Sequence, residues 1–135
     1  MGKSEGNAIY PIDDEKTISK KVMRAVTDAG PTEPNSEKPE PIQNLFTLME
    51  IVSAPEVYQH FDGLYNDCAI RYGDMKKQLA ADINAFCAPI RERILDIRED
   101  KELLSRVARI GAEKARESAA KTIEEIRHII GFRPR

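Results

Sequence analysis

Residues 74–97 read DMKKQLAADINAFCAPIRERILDI. Their apolar side chains recur every three or four positions, the spacing that places side chains on one face of an α-helix. Asp74 is suited to cap the start of this helix, and Pro89 predicts a kink because proline removes a backbone donor. The stretch therefore predicts one long amphipathic helix that must bury a face against other helices. The apolar positions are Met75, Leu79, Ile83, Phe86, Ile90, Ile94 and Ile97.

Four further stretches show helical periodicity. The first follows Asp14, which like Asp13 can cap its start, and the second covers residues 42–52. Residues 53–56, Ser-Ala-Pro-Glu, have the form of a capping box that opens a third helix, and a less regular stretch is expected between Gly63 and Gly73. The last stretch begins at the capping residue Asp100 and carries apolar side chains as far as Ile130.

Strand signals are nearly absent, so the chain is predicted to be all-α, a helical bundle of about five helices with a flexible N-terminal loop. Residues 30–41 contain four prolines among polar residues and predict an exposed loop. No stretch approaches the roughly 20 apolar residues that span a membrane. Cys68 and Cys87 have mostly apolar neighbours and no metal-ligand spacing, which predicts buried free thiols, no metal site and a cytoplasmic location.

The net charge of −2 argues against a general nucleic-acid binder, and no DNA partner is expected. The charge is unevenly distributed, however, because residues 101–135 hold nine basic and five acidic side chains. Basic residues that flank the fourth helix are candidates for RNA contacts, with a solvated helix surface as the alternative interpretation. These candidates are Arg71, Lys76, Lys77, Arg91 and Arg93.

One segment differs from ordinary helix surface. Residues 1–9 read Met-Gly-Lys-Ser-Glu-Gly-Asn-Ala-Ile, which places a lysine and a serine between two glycines. A mobile loop with a positive charge, a hydroxyl group and accessible backbone donors suits a phosphate chain, whereas a disordered terminus is the alternative. Neither His60 nor His128 has a carboxylate or cysteine at ligand spacing, and no nucleophile triad or Walker loop is present.

The first four residues resemble the end of the Lys-Met-Ser-Lys-Ser signature of class I aminoacyl-tRNA synthetases, although Gly2 replaces a serine. Residues 5–9 are similar to the residues directly after that signature in the tryptophanyl and tyrosyl enzymes. Further similarity to the tryptophanyl branch extends over essentially all 135 residues, and the tyrosyl enzymes fit poorly over residues 20–28. The segments that carry it are 12–18, 20–28, 44–45, 72–80, 89–93 and 111–115.

This resemblance implies an enzyme that activates tryptophan with ATP and magnesium and transfers it to tRNA(Trp). It implies that Lys3 is the catalytic cation at the pyrophosphate portion of ATP, and that Met1, Gly2 and Ser4 share its ATP-binding loop. Residues 1–13 would then be a remnant of the active-site loop, and residues 14–135 the helical anticodon-side domain.

The family's nucleotide-binding fold and tryptophan pocket have no counterpart in this sequence. We therefore expect the C-terminal part of a tryptophan–tRNA ligase that is inactive alone and binds no cofactor. The family is commonly homodimeric, and the state of this chain stays open. The alternative hypothesis is a free-standing helical module that binds tRNA or protein without catalysis.

Overall fold

The computed structural model describes residue 6 and residues 8–132. These residues form five α-helices and no strand, which confirms the predicted all-α class. None of the helices described is long and apolar enough to cross a membrane. The chain divides into two compact units, residues 1–92 and 93–135. The helices are α1 (Glu15–Met23), α2 (Glu40–Val52), α3 (Pro55–Asn66), α4 (Tyr72–Glu99) and α5 (Lys101–Ile129).

The first unit is built around Phe46 of α2, which is fully buried. Its ring meets those of Tyr58 and Tyr65 edge to face, with centroids 5.7 and 6.0 Å apart, an arrangement that aromatic quadrupoles favour. Side chains from α1 to α4 complete this core, so each of the four helices buries part of its apolar face. The other buried apolar residues are Ile18, Val22, Ile42, Leu45, Met49, Phe61, Met75, Leu79, Ala80, Ile83 and Cys87.

Two of the four predicted helix caps are confirmed. Asp14 accepts a hydrogen bond from the Thr17 amide at 2.6 Å, and Asp100 accepts one from the Leu103 amide at 2.8 Å. The capping box predicted at Ser53 is wrong, because α3 begins after Ala54 with no side-chain cap. The Ser53 hydroxyl instead donates to an oxygen of Asp82 in α4 at 2.5 Å, so it joins two helices.

Two helix boundaries also differ from the prediction. Helix α3 continues through Gly63 to Asn66, because tertiary packing of Phe61 and Tyr65 outweighs the low helix propensity of one glycine. Helix α4 begins at Tyr72, two residues before the predicted cap at Asp74.

The buried face of α4 is rotated from the predicted one. Met75, Leu79 and Ile83 are buried as expected, but the next buried position is Cys87, and Phe86 is 50% exposed. A step of four residues from Ile83 stays on the core-facing side, whereas a step of three falls at its edge. The prediction that both cysteines are buried is half wrong, since Cys87 is buried and Cys68 is exposed.

The second unit contains the end of α4 and all of α5. Helix α5 has the predicted apolar stripe, but none of its residues is buried. Seven large apolar residues of the helix and its C-terminal cap are therefore open to solvent. They are Leu104, Val107, Ile110, Ile123, Ile126, Ile129 and Ile130.

The proline-rich loop before α2 is held to the first unit by Lys38. Its ammonium group is 2.7 Å from an oxygen of Asp62 and lies over the rings of Phe46 and Tyr65, 4.8 and 4.7 Å from their centroids. The Lys38 side chain is only 15% exposed, so the ion pair and the cation–π contacts are partly shielded from water. Asn35 adds a backbone hydrogen bond to the carbonyl of Asn66 at the end of α3.

We expect Lys38→Met to lower the free energy of unfolding by about 1–2 kcal/mol, because it removes both interactions and leaves Asp62 partly buried without its cation. Urea denaturation measures this difference. The control is Lys20→Met at an exposed position of α1, which should change stability by less than about 0.5 kcal/mol. Equal effects of the two changes would show that Lys38 contributes no more than a surface lysine.

The exposed and buried cysteines predict different thiol reactivities. In the folded protein a maleimide should label Cys68 quickly and Cys87 slowly, because thiolate accessibility controls the reaction. Mass spectrometry of labelled peptides follows both sites over time. Cys68→Ser provides the control, and its remaining thiol should be labelled fully only in urea. Rapid native labelling of Cys87 would contradict the packing of α4.

Candidate nucleic-acid interface

Helix α1 carries a row of cations on its outer side. Lys16, Lys20 and Arg24 follow one another at four-residue intervals, so they lie on neighbouring turns of the same helix face. All three are exposed. The fourth cation, Lys21, turns inward to an oxygen of Asp13 at 2.5 Å, so it closes the turn before α1.

Two hydrogen bonds connect α4 to α1 and to the residues just after it. Near the start of α1, the Asn84 side-chain amide donates to the Glu15 carbonyl at 3.4 Å. Beyond the end of α1, the Lys76 ammonium donates to the Ala25 carbonyl at 2.7 Å. Since the later residue of α4 meets the earlier residue of α1, the two helices run antiparallel.

A groove of about 720 Å³ lies between these two helices, and we call it the α1–α4 groove. Its α4 wall is lined by alanines, whose small side chains leave the groove wide, while Lys16 and Lys77 supply one cation from each wall. Glu15 is the carboxylate in the lining. The lining residues are Glu15, Lys16, Ser19, Met23, Lys77, Ala80, Ala81, Asn84, Ala85 and Ala88.

The charges of the first unit are unevenly distributed between its helices. Helices α2 and α3 contain four acidic residues and neither lysine nor arginine. Exposed cations lie on α1 and at Lys77 of α4, where the carboxylates of Asp14, Glu15 and Asp74 accompany them. A polyanion would therefore meet a less unfavourable potential on the α1–α4 side than beside α2 and α3. The four acids are Glu40, Glu50, Glu56 and Asp62.

Lys76, one of the predicted RNA-contacting residues, has a structural role instead. It is buried, with 7% exposure, and its ammonium also donates to the Thr27 hydroxyl at 3.0 Å. A buried ammonium that is engaged with protein oxygens is not presented to a phosphate group. The periodicity of the sequence does not separate Lys76 from its exposed neighbour Lys77, so both are candidates on sequence alone.

Tyr72 lies near the same segment after α1. Burial raises the pKa of its phenol, and the nearby carboxylate of Asp28 adds to this shift. The side chain lies one turn before Lys76 on α4. Lys76 thus holds the chain where it leaves α1, whereas the Tyr72 hydroxyl has no hydrogen-bond partner among the described residues.

The other predicted RNA-contacting cations differ in how exposed they are. Lys77 is exposed in the groove, with a weak 3.6 Å contact to Asp74, and Arg71 is exposed just before α4. Arg91 is half-buried, and its Nε and Nη2 atoms have no hydrogen-bond partner among the residues that the structure describes. Hydrogen bonds from Thr17 hold the pKa of Asp14 below its usual range, and the positive charge of Arg91 contributes to this.

The remaining predicted site residues lie elsewhere. Arg93 is exposed and belongs to the second unit. Met1, Gly2, Lys3 and Ser4 lie outside the described residues. Within the part of the chain that the structure describes, no group of three or more His, Cys, Asp or Glu side chains is arranged to hold a metal ion. Lys16 and Lys20 were not among the predicted site residues, although their four-residue spacing places them on one exposed face of α1.

A family model described as tRNA synthetases class I (W and Y) matches residues 1–88. The chain belongs to this family. The match includes α1, α2, α3 and the part of α4 that lines the groove, so the interface described above lies within a class I synthetase sequence.

Curated relatives extend the class I similarity over nearly the whole chain. A tryptophan–tRNA ligase from Porphyromonas gingivalis is 72% identical over 133 residues, which are 98% of this chain and 41% of that protein. A tryptophan–tRNA ligase from Neisseria meningitidis is 32% identical over 99% of the chain and 39% of that protein. The chain thus spans about 40% of the length of these relatives, and the aligned region is their C-terminal part.

A solved class I structure shows the same fold. The tryptophanyl-tRNA synthetase from Campylobacter jejuni, complexed with ADP and tryptophan, matches 97% of this chain and 40% of its own chain. The TM-score is 0.74 at 27% sequence identity. The similarity that short motifs indicated in the sequence therefore holds for the folded helices as well.

We expect Lys76→Met to lower the free energy of unfolding by about 2 kcal/mol, because it leaves the Ala25 carbonyl without its charged donor. Thermal or urea unfolding measures the change. Lys77→Met is the matched control one position away, and its effect should stay within about 0.5 kcal/mol. If Lys76→Met left the free energy of unfolding unchanged, the ammonium group would not be what holds residues 25–27.

Proposed function

We propose that this chain is the C-terminal part of a tryptophan–tRNA ligase, an enzyme that activates tryptophan with ATP and charges tRNA(Trp). The observation that carries the proposal is the 72% identity to the Porphyromonas gingivalis ligase over 98% of the chain. At this identity the two sequences share a fold and, we propose, a reaction. The role in translation gives a cytoplasmic location, and the longer protein would act as a homodimer.

The chain would contribute to the reaction through the ATP-binding loop of Met1, Gly2, Lys3 and Ser4. ATP, with magnesium, is the substrate of the longer enzyme, and Lys3 would contact its pyrophosphate portion as negative charge develops there. A positioned cation stabilises such charge best in a closed site that excludes water. Met1, Gly2 and Ser4 would supply the rest of the loop, with backbone donors that suit phosphate oxygens.

The helical part would contribute the contacts to tRNA. Its exposed cations Arg71, Lys77 and Arg93 can reach phosphate oxygens, and the half-buried Arg91 is a further candidate donor. Residues 14–135 would in this view form the anticodon-side domain, and residues 1–13 would belong to the active site.

We propose that the 135-residue polypeptide alone neither activates tryptophan nor binds ATP measurably. A cation gains catalytic effect from preorganisation against a facing site, and the tryptophan pocket of the family is not part of this sequence. A purified 135-residue chain should show no tryptophan-dependent exchange of pyrophosphate into ATP. Measurable exchange would refute this part of the proposal.

A chimeric enzyme tests the function itself. The chain replaces the aligned C-terminal region of the Porphyromonas gingivalis ligase, and pyrophosphate exchange and tRNA(Trp) charging are measured. We expect the chimera to perform both reactions, since the replaced region is 72% identical. Lys3→Ala in the chimera should reduce kcat of exchange by about 10²–10³-fold, the usual loss of one charge-stabilising group in an active site.

The matched control is Lys121→Ala, which removes one exposed lysine from α5 and should leave exchange unchanged. A chimera that folds but fails to exchange pyrophosphate would contradict the proposed enzyme. It would favour the alternative, a helical module that binds tRNA or protein without catalysis. An active chimera that is indifferent to Lys3→Ala would contradict the role of the loop.

A further inference from the structure

We infer that Asp13 is a positioning residue for the ATP-binding loop. Its carboxylate, together with Lys21 and the Tyr10 amide, fixes the turn through which the chain passes from that loop into α1. The inference rests on the proposed function, since it concerns the loop that carries Lys3. It gives a role in the reaction to a side chain that would touch no substrate atom.

The turn before α1 is closed by hydrogen bonds in both directions. The Asp13 amide donates to the Tyr10 carbonyl at 2.9 Å, and the Tyr10 amide donates to an oxygen of the Asp13 carboxylate, also at 2.9 Å. Pro11 follows Tyr10, and proline is favoured at the second position of such a turn because its ring fixes φ near the required value. Residues 10–13 are therefore held together as one unit.

Lys21 ties this turn to the last turn of α1. Its ammonium group donates to the same Asp13 oxygen at 2.5 Å and lies 5.2 Å from the centroid of the Tyr10 ring. The side chains of Lys21 and Asp13 are 20% and 16% exposed, so the ion pair is partly shielded from water. Although burial raises the pKa of Asp13, the hydrogen bonds from Lys21 and the Tyr10 amide keep this pKa below its ordinary value. The group is therefore a carboxylate at neutral pH.

These contacts act on the chain before α1 rather than on the helix itself. The start of α1 is already capped by Asp14, and Ile18 and Val22 bury the helix in the core. Loss of the Asp13 carboxylate would leave those contacts in place. It would release Tyr10, and with it the segment that leads back to the ATP-binding loop.

The turn lies close enough in sequence to restrict where Lys3 can go. Tyr10 follows Lys3 by seven positions, so even a fully extended chain keeps Lys3 within about 23–25 Å of the turn. Ile9 is partly buried against the core, which attaches the chain a second time beside the turn. A cation stabilises developing charge only when it is held in position. A released turn would enlarge the volume that Lys3 samples and would shorten the time that it spends at the pyrophosphate portion of ATP.

A double-mutant cycle in the chimeric ligase tests the inference. Asp13→Ala should lower kcat of pyrophosphate exchange by about tenfold and leave KM for tryptophan within about twofold, because the tryptophan pocket is not part of this chain. In the Lys3→Ala background the same change should lower kcat by less than about twofold, since Asp13 acts through Lys3. Lys21→Met should repeat the effect of Asp13→Ala, and Lys21→Arg, which keeps the cation, should restore most of the exchange.

Asp62→Ala is the matched control. Asp62 forms a similar partly buried ion pair with Lys38, whose ammonium group also lies over an aromatic ring, and neither residue contacts the turn before α1. Thermal denaturation measures how far each change destabilises the fold. Asp62→Ala should lower the melting temperature about as much as Asp13→Ala, while kcat of exchange stays within about twofold of the unmodified chimera.

Equal losses of exchange in the Asp13→Ala and Asp62→Ala chimeras would overturn the inference, since they would reflect general destabilisation. An unchanged kcat in Asp13→Ala would overturn it too, and so would a loss of the same size in the Lys3→Ala background. If Asp13→Ala does not fold, Asp13→Asn carries the same comparison, because it keeps an acceptor for the Tyr10 amide and removes only the charge. Failure of the proposed function appears separately, as an unmodified chimera that exchanges no pyrophosphate, and the inference then fails with it.

Discussion

The packing of α1 against α4 is the constraint on which the position of the α1 cations depends. Ile18 and Val22 bury one side of α1 in the core, and that burial leaves the opposite side to solvent. Lys76 and Asn84 then fix the direction of α1 by hydrogen bonds to backbone carbonyls near its two ends. These contacts determine the position of every exposed cation on α1, because a short helix has little stability or orientation without its partners.

This arrangement separates structural cations from available ones. Lys21, Lys38 and Lys76 are held by carboxylate, aromatic or backbone partners inside the first unit, and they stabilise turns and loops. Lys16 and Lys20 are exposed on the surface. The net charge of the chain is slightly negative, and the carboxylates of Asp14, Glu15 and Asp74 lie beside the exposed cations of α1 and α4. The affinity of such a protein for a polyanion therefore depends on where the charges lie rather than on their sum.

Much of the fold could be predicted from the sequence. Helical periodicity predicted five helices, and the aspartates before α1 and α5 predicted their starts, because capping chemistry is local. The errors lie where tertiary contacts decide. Ser53 bonds to Asp82 instead of capping α3, and Phe86 lies at the edge of the core rather than in it. Lys76 and Lys77 are adjacent in sequence and differ in role, and only the position of residues 25–27 separates them.

The family could be recognised from ordered short motifs, and the comparisons support it over nearly the full chain. The most direct test of the proposed tRNA contacts is lysine footprinting of the chimeric ligase, in which acetylation rates are measured with and without tRNA(Trp). We expect slower acetylation of the exposed Lys77 when tRNA is bound, and a Lys76 that reacts slowly in both states. An unchanged rate at Lys77, with protection of other lysines, would contradict its proposed contact with tRNA.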